Sequence, residues 1–182
     1  MYQTLQNKGN YDEVERDGPF RCPDLDAWLG PGYYFWDTFI GNAHWWGGKG
    51  YAQNYIICEA RYDFDMAYCF DLQGNTEHLN DFTAICKEMK ESGKYGDEIV
   101  VSDVIALLRK VVKEFNYKAI RASSLETRRY DDEYSLTIKY KKNNKWKNYN
   151  QRLDMQPLIQ ICIFEKGTFP LQNFKIVYPE NI

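Results

Sequence analysis

With 182 residues, 27 % of them charged, and a formal net charge of −3, the chain has the size of one globular domain and no bulk electrostatic attraction for nucleic acid or anionic lipid. Two His and five Cys, none of the Cys in a C-x-x-C pair, give no metal-ligand spacing. Aromatic residues reach 16 %, with 15 Tyr and 5 Trp, a content that suits clefts and half-exposed surfaces as well as a core.

The chain opens on Met1-Tyr2-Gln3-Thr4 without a basic segment leading into an apolar run, and no apolar stretch is long enough to cross a membrane. This predicts a cytoplasmic protein with no membrane partner. Tyr2 to Leu5 reads as a first strand. Asn7 to Leu25, rich in Gly, Pro, Asp and Asn, reads as loop. Tyr33 to Asp37 is a second strand, and Asn42 to Ala52 a short helix broken at Gly47-Gly48. Tyr55 to Tyr62 (YIICEARY) is a strand. Thr76 to Ser92 has the helical period, with Leu79, Phe82, Ile85, Cys86 and Met89 on one face and Gly93 at its end. Ser102 is expected to cap a second helix carrying Val104, Ile105, Leu108, Val111, Val112 and Phe115. Tyr117 to Arg121 is a strand. Ser135 to Tyr140 and Lys145 to Tyr149 form a hairpin around Asn143-Asn144. Leu158 to Phe164 (LIQICIF) is a buried strand and Phe174 to Tyr178 a last one. Uneven mixing of strands and helices predicts a single α+β domain over residues 1–182. Cys58, Cys86 and Cys162 fall on apolar faces and read as buried free thiols.

Several chemistries have no motif here. No G-x-G-x-x-G follows a strand, and no P-loop or G-x-S-x-G exists. Two features stand out. The first is Leu29-Gly30-Pro31-Gly32-Tyr33-Tyr34-Phe35-Trp36 followed by His44-Trp45-Trp46: bare backbone beside many rings, which is either aromatic core or a grip for a flat ring ligand. The second is the hairpin, where Lys139, Lys141, Lys142, Lys145, Lys147 and Arg152 interleave with Tyr140, Trp146 and Tyr149. That composition belongs to a nucleic-acid contact or, more simply, to a hairpin kept solvated by its lysines.

Gly30-Pro31-Gly32-Tyr33-Tyr34-Phe35 resembles the G-x-G-x-Y-F strand of the ADP-ribosyltransferase superfamily, in its poly-ADP-ribose polymerase and diphtheria-toxin branch. The branch's second ring, eleven positions after the Tyr, corresponds to Trp45. Nearly the whole chain is also similar to a group of Bacteroidetes proteins that share WLG-GYYFWDTF, AHWWG and IQIC segments. The superfamily resemblance implies a split β-sheet with flanking helices and NAD as substrate. It places nicotinamide between Tyr34 and Trp45, beside Gly32, with Gln3 and Thr4 on a ribose and His44 near the phosphates or the acceptor. Gln3 stands where the branch has His, and Gln160 stands where it has the Glu that orients the nicotinamide ribose. Gln3, Tyr34 and Gln160 are thereby the catalytic set. Glu165 is about 16 Å from Gln160 along an extended strand and is no replacement for a carboxylate there. The implied protein is a toxin, effector or defence protein with a protein, RNA or DNA acceptor and an antitoxin or immunity partner. The alternative is a catalytically inactive module of the same fold that binds a nucleotide or a partner, which the uncharged Gln160 favours.

Overall fold

The computed structural model describes residues 1–24, 26–61, 66–95, 98–111, 115–124, 135–167 and 172–180. Leu25, Tyr62 and Val112, expected at a loop end, a strand end and a helix face, lie outside the described residues. The strands are β1 (Tyr2–Gln6), β2 (Tyr33–Trp36), β3 (Tyr55–Arg61), β4 (Cys69–Asp71), β5 (Ala119–Ser123), β6 (Ser135–Lys142), β7 (Lys145–Asp154), β8 (Ile159–Ile163) and β9 (Gln172–Tyr178). The helices are α1 (Tyr11–Asp17), α2 (Ile40–Gly50), α3 (Thr76–Glu91) and α4 (Val101–Val111). Seven strands form one sheet in the order β4-β5-β8-β2-β1-β3-β9, and among the described residues β6 pairs only with β7. The β4–β5 pair is parallel and its neighbours are antiparallel. The chain is thus a single-domain α+β fold.

Alternation along the strands decides which helix covers which face. Tyr34 and Trp36 share a face with their cross-strand partners Cys162 and Gln160. Over one half of that face, α3 and α4 bury Met89, Val104, Ile105 and Leu108 against Phe70, Ile120 and Cys162. Over the other half, α2 packs Ala43 against Trp36, Tyr55 and Ile57. Helix α1 sits on the opposite face, where Val14 meets Ile56 and Cys58.

The middle of the sheet is thinly laddered. β1 and β2 share one register pair, Tyr2 opposite Trp36. Past that pair the Gln3 side chain does the joining. Its Nε2 donates to the Phe20 carbonyl at 2.8 Å and the Tyr34 carbonyl at 3.3 Å, and its Oε1 accepts from the Phe20 N–H at 2.9 Å.

Several expectations change. Phe115, expected on the second helix, lies outside α4. Residues 11–17, read as loop, form α1, which buries only Val14 and so shows no helical stripe in the sequence. Helix α2 is not broken at Gly47-Gly48. A Cβ at Gly47 would lie 2.4 Å from the Tyr55 ring, so glycine there lets the helix close on the sheet. Ser102 lies inside α4 and not at its cap, because the N–H groups of Asp103 and Val104 both reach the Val100 carbonyl. Of the expected buried thiols, Cys58 and Cys162 are buried, whereas Cys86 is half-buried.

Candidate functional site

On the α2 face of the sheet, where the β1–β2 ladder thins, lies a cleft of about 390 Å³. Its floor is Gln3 and Thr4 from β1, Tyr34 and Trp36 from β2, and Gln160 from β8. Trp45, Trp46 and Tyr51 form one wall. Residues 20–24 and 26–28 form the other, ending in Trp28. Five of the seven expected site residues therefore converge from segments far apart in the chain: Gln3, Thr4, Tyr34, Trp45 and Gln160.

Each floor side chain has a definite local reason for its position. The Thr4 hydroxyl donates to the Ala43 carbonyl at 3.0 Å and ties β1 to α2. Gln3 spends both its donors on carbonyls and receives the Phe20 N–H, so it acts as scaffold under the cleft. The Tyr34 hydroxyl accepts from the Leu29 N–H at 3.0 Å and donates to the Gly30 carbonyl at 2.7 Å, which fixes the turn that Gly30 makes at φ +82°. Burial, with Cys162 close by, drives the Tyr34 pKa far up, so the phenol stays neutral. Burial also pushes the Cys162 thiol up to about 12, which removes it as a nucleophile near neutral pH. Gln160 Oε1 accepts the Trp28 indole N–H at 2.6 Å, a bond between residues 132 positions apart.

The aromatic wall is built from indoles. Trp45 meets Trp36 edge-on, with centroids 6.1 Å apart and planes at 85°, and lies 6.2 Å from Trp46. The Lys49 ammonium sits 4.9 Å from the centre of the Trp45 ring. The ring cluster at Trp45 is thus made with Trp36 and Trp46, while Tyr34 and Trp45 line the same cleft but pack against different parts of the core.

Two expected site residues do not line the cleft. Gly32 is buried: a Cβ there would lie 2.4 Å from Cys162 Sγ and 2.6 Å from the Ile163 carbonyl oxygen. Its lack of side chain serves strand packing and not ligand approach. His44 turns to the other side of α2. Its Nδ1 is 3.0 Å from the Tyr55 hydroxyl, and its ring packs edge-on against Tyr55 and Tyr178. Glu165 is exposed and lines a different depression with Arg109 and Phe164. Among the described residues no group of His, Cys, Asp and Glu could hold a metal ion.

Sequence reasoning missed Trp28 and the wall that leads to it. Trp28 falls between the segment read as loop, Asn7 to Leu25, and the Gly30 motif, where one Trp carries no pattern, and its partner is 132 residues away. Tyr51 was equally silent, whereas Trp36 and Trp46 were visible as part of the ring-rich segment. No protein-family model matches the chain, and neither does any curated protein or any solved structure.

Proposed function

We propose that the cleft binds NAD and that the protein is an ADP-ribosyltransferase-like toxin, effector or defence protein, with a protein or nucleic acid as acceptor and an antitoxin or immunity protein as partner. One observation carries the reading: Gln3, Thr4, Tyr34, Trp45 and Gln160, quoted from separate motifs, line a single cleft. Its volume of about 390 Å³ and its ring-rich lining, which also carries Arg21, Asp24, Asp26 and Ser124, suit a flat heteroaromatic ligand with polar substituents. The adjacency of β1, β2 and β8 in the sheet also agrees with a split-sheet transferase fold, since these are the three strands that carry the motifs.

Departure of nicotinamide leaves an oxocarbenium-like ribose, which a nearby carboxylate stabilises. Gln160 supplies an amide instead. That favours a second reading, in which the same cleft binds a nucleotide or a partner without transferring anything. Calorimetry with NAD tests the shared part: binding is expected at millimolar or lower concentration, and Tyr34→Ala should weaken it at least several-fold. Incubation with labelled NAD and cell lysate, reading protein and RNA separately, tests transfer. If NAD binds yet neither the wild type nor Gln160→Glu releases nicotinamide, the binding-module reading stands and the transferase reading is rejected.

A further inference from the structure

The hydrogen-bonding groups of the floor divide unevenly between used and unused. Three floor oxygens are engaged as acceptors: Gln3 Oε1 by the Phe20 N–H, the Tyr34 hydroxyl by the Leu29 N–H, and Gln160 Oε1 by the Trp28 indole N–H, while the Thr4 hydroxyl oxygen gives its proton to the Ala43 carbonyl and keeps its lone pairs. The Thr4 proton and both Gln3 amide hydrogens are also placed. Two nitrogen groups of the floor have no partner among the described residues, and both are N–H donors. One is Gln160 Nε2. The other is the indole N–H of Trp36, a side chain only 6 % exposed.

Trp28 is what makes Gln160 a donor. An amide side chain can present either end, but an indole nitrogen carries a hydrogen and accepts nothing. At 2.6 Å from Trp28 Nε1, only the carbonyl end of Gln160 can face it, because the reverse orientation would set two donors against each other. The NH2 group therefore faces away from Trp28. We infer that Trp28 is a positioning residue that sets ligand specificity: by holding the Gln160 carbonyl, it makes the floor donate to its ligand at Gln160, so at that point the site selects a flat ring bearing a hydrogen-bond acceptor over one bearing a donor in the same place. This rests on the NAD reading for the identity of the ring, and it identifies the nicotinamide carboxamide oxygen as the atom that is read.

A buried donor left facing another donor loses its hydrogen bond to water and gains nothing, which is worth about a factor of ten or more in affinity. Three dinucleotides separate the possibilities: NAD, its 3-acetylpyridine analogue, which keeps the carbonyl and loses the amide donor, and its 3-aminopyridine analogue, which replaces the carbonyl with a donor. Wild type should bind the first two within about twofold of each other and the third at least about tenfold more weakly. Trp28→Phe keeps a ring in the wall but frees Gln160 to rotate, so the gap should shrink severalfold. Gln160→Glu keeps the Trp28 bond on one oxygen and offers the other as an acceptor, so it should invert the preference. A packing role for Trp28 alone would change stability or lower all three affinities equally. Equal binding of the amino analogue and NAD by wild type overturns the inference and leaves NAD binding standing. So does an unchanged preference in Gln160→Glu, a variant that does not depend on Trp28→Phe folding. Failure of all three dinucleotides to bind overturns the NAD reading and this inference together.

Discussion

Gly32 has no room for a side chain, because Cys162 Sγ and the Ile163 carbonyl occupy the place a Cβ would take. The thiol could shift, but the carbonyl belongs to the β8 ladder that pairs with β2 and β5. Gly32→Ala should therefore cost about 1–3 kcal/mol by overpacking, read as a lower denaturation midpoint with an unchanged slope. Adding Cys162→Ala relieves the thiol and not the carbonyl, so it should restore only part of the loss. His44 gives a second test at this scale. Burial lowers its pKa below the ordinary value of 6.5. The unfolded chain then takes up a proton at a pH where the folded chain does not. The contribution of His44 to stability should be undiminished above about pH 6.5 and decline as pH falls through that value. His44→Phe should flatten this part of the profile, and denaturation curves between pH 5 and 8 would show it. The same residues mark what the sequence could convey. Gly32 and His44 were visible as residue types, but their roles depend on Cys162, Ile163, Tyr55 and Tyr178. Gln160 stood out as a polar residue in an apolar run, and the indole that orients it did not.

The elements divide by how much of their own pattern they carry. α3 and α4 repeat apolar residues at helical spacing, and β3 and β8 are near-continuous apolar runs, so these were legible. α1 buries a single residue and β4 is 3 residues long, so neither shows a period to read. The β6–β7 hairpin was read through its lysines, and Lys139, Lys142, Lys145 and Lys147 are indeed exposed. Asn143 and Asn144 turn it at φ +52° and +57°, the left-handed pair that a two-residue hairpin requires. The side chains of Tyr140, Trp146 and Tyr149, the aromatic half of the nucleic-acid reading, lie outside the described part of the structure. What the lysines hid is an apolar pair: Leu136 and Leu153 face each other in register and are 56 % and 57 % exposed. Because neither is buried, Leu136→Ser with Leu153→Ser, like Lys142→Ala with Lys145→Ala, should change stability by no more than about 0.5 kcal/mol. A larger loss in either pair, measured by urea denaturation, would mean that the hairpin packs on something in solution.

At the scale of the whole molecule, the cleft belongs to no single element. β1, β2 and β8 supply its floor, while α2 and the segment ending at Trp28 supply its walls. Thr4 ties β1 to α2, Gln3 ties β1 to β2 and Phe20, and Trp28 ties its loop to β8. A ligand in this cleft must then stabilise all of these parts against unfolding, since they come apart together. Among the described residues the β6–β7 hairpin is hydrogen-bonded to none of them through the sheet, and it should not share the effect. No helix among the described residues is long and apolar enough to cross a membrane. Linkage sets the size of the response. NAD at a hundred times its Kd should add about 2.7 kcal/mol and raise the melting temperature by about 5–10 °C. Hydrogen exchange should slow in residues 2–6, 33–36, 40–50 and 159–163 and stay unchanged in residues 135–154. Trp45→Ala, which opens one wall, should remove most of both effects, whereas Lys142→Ala should leave both intact. Slower exchange in residues 135–154, with none along residues 2–6 or 159–163, would move the ligand out of the cleft and onto the hairpin.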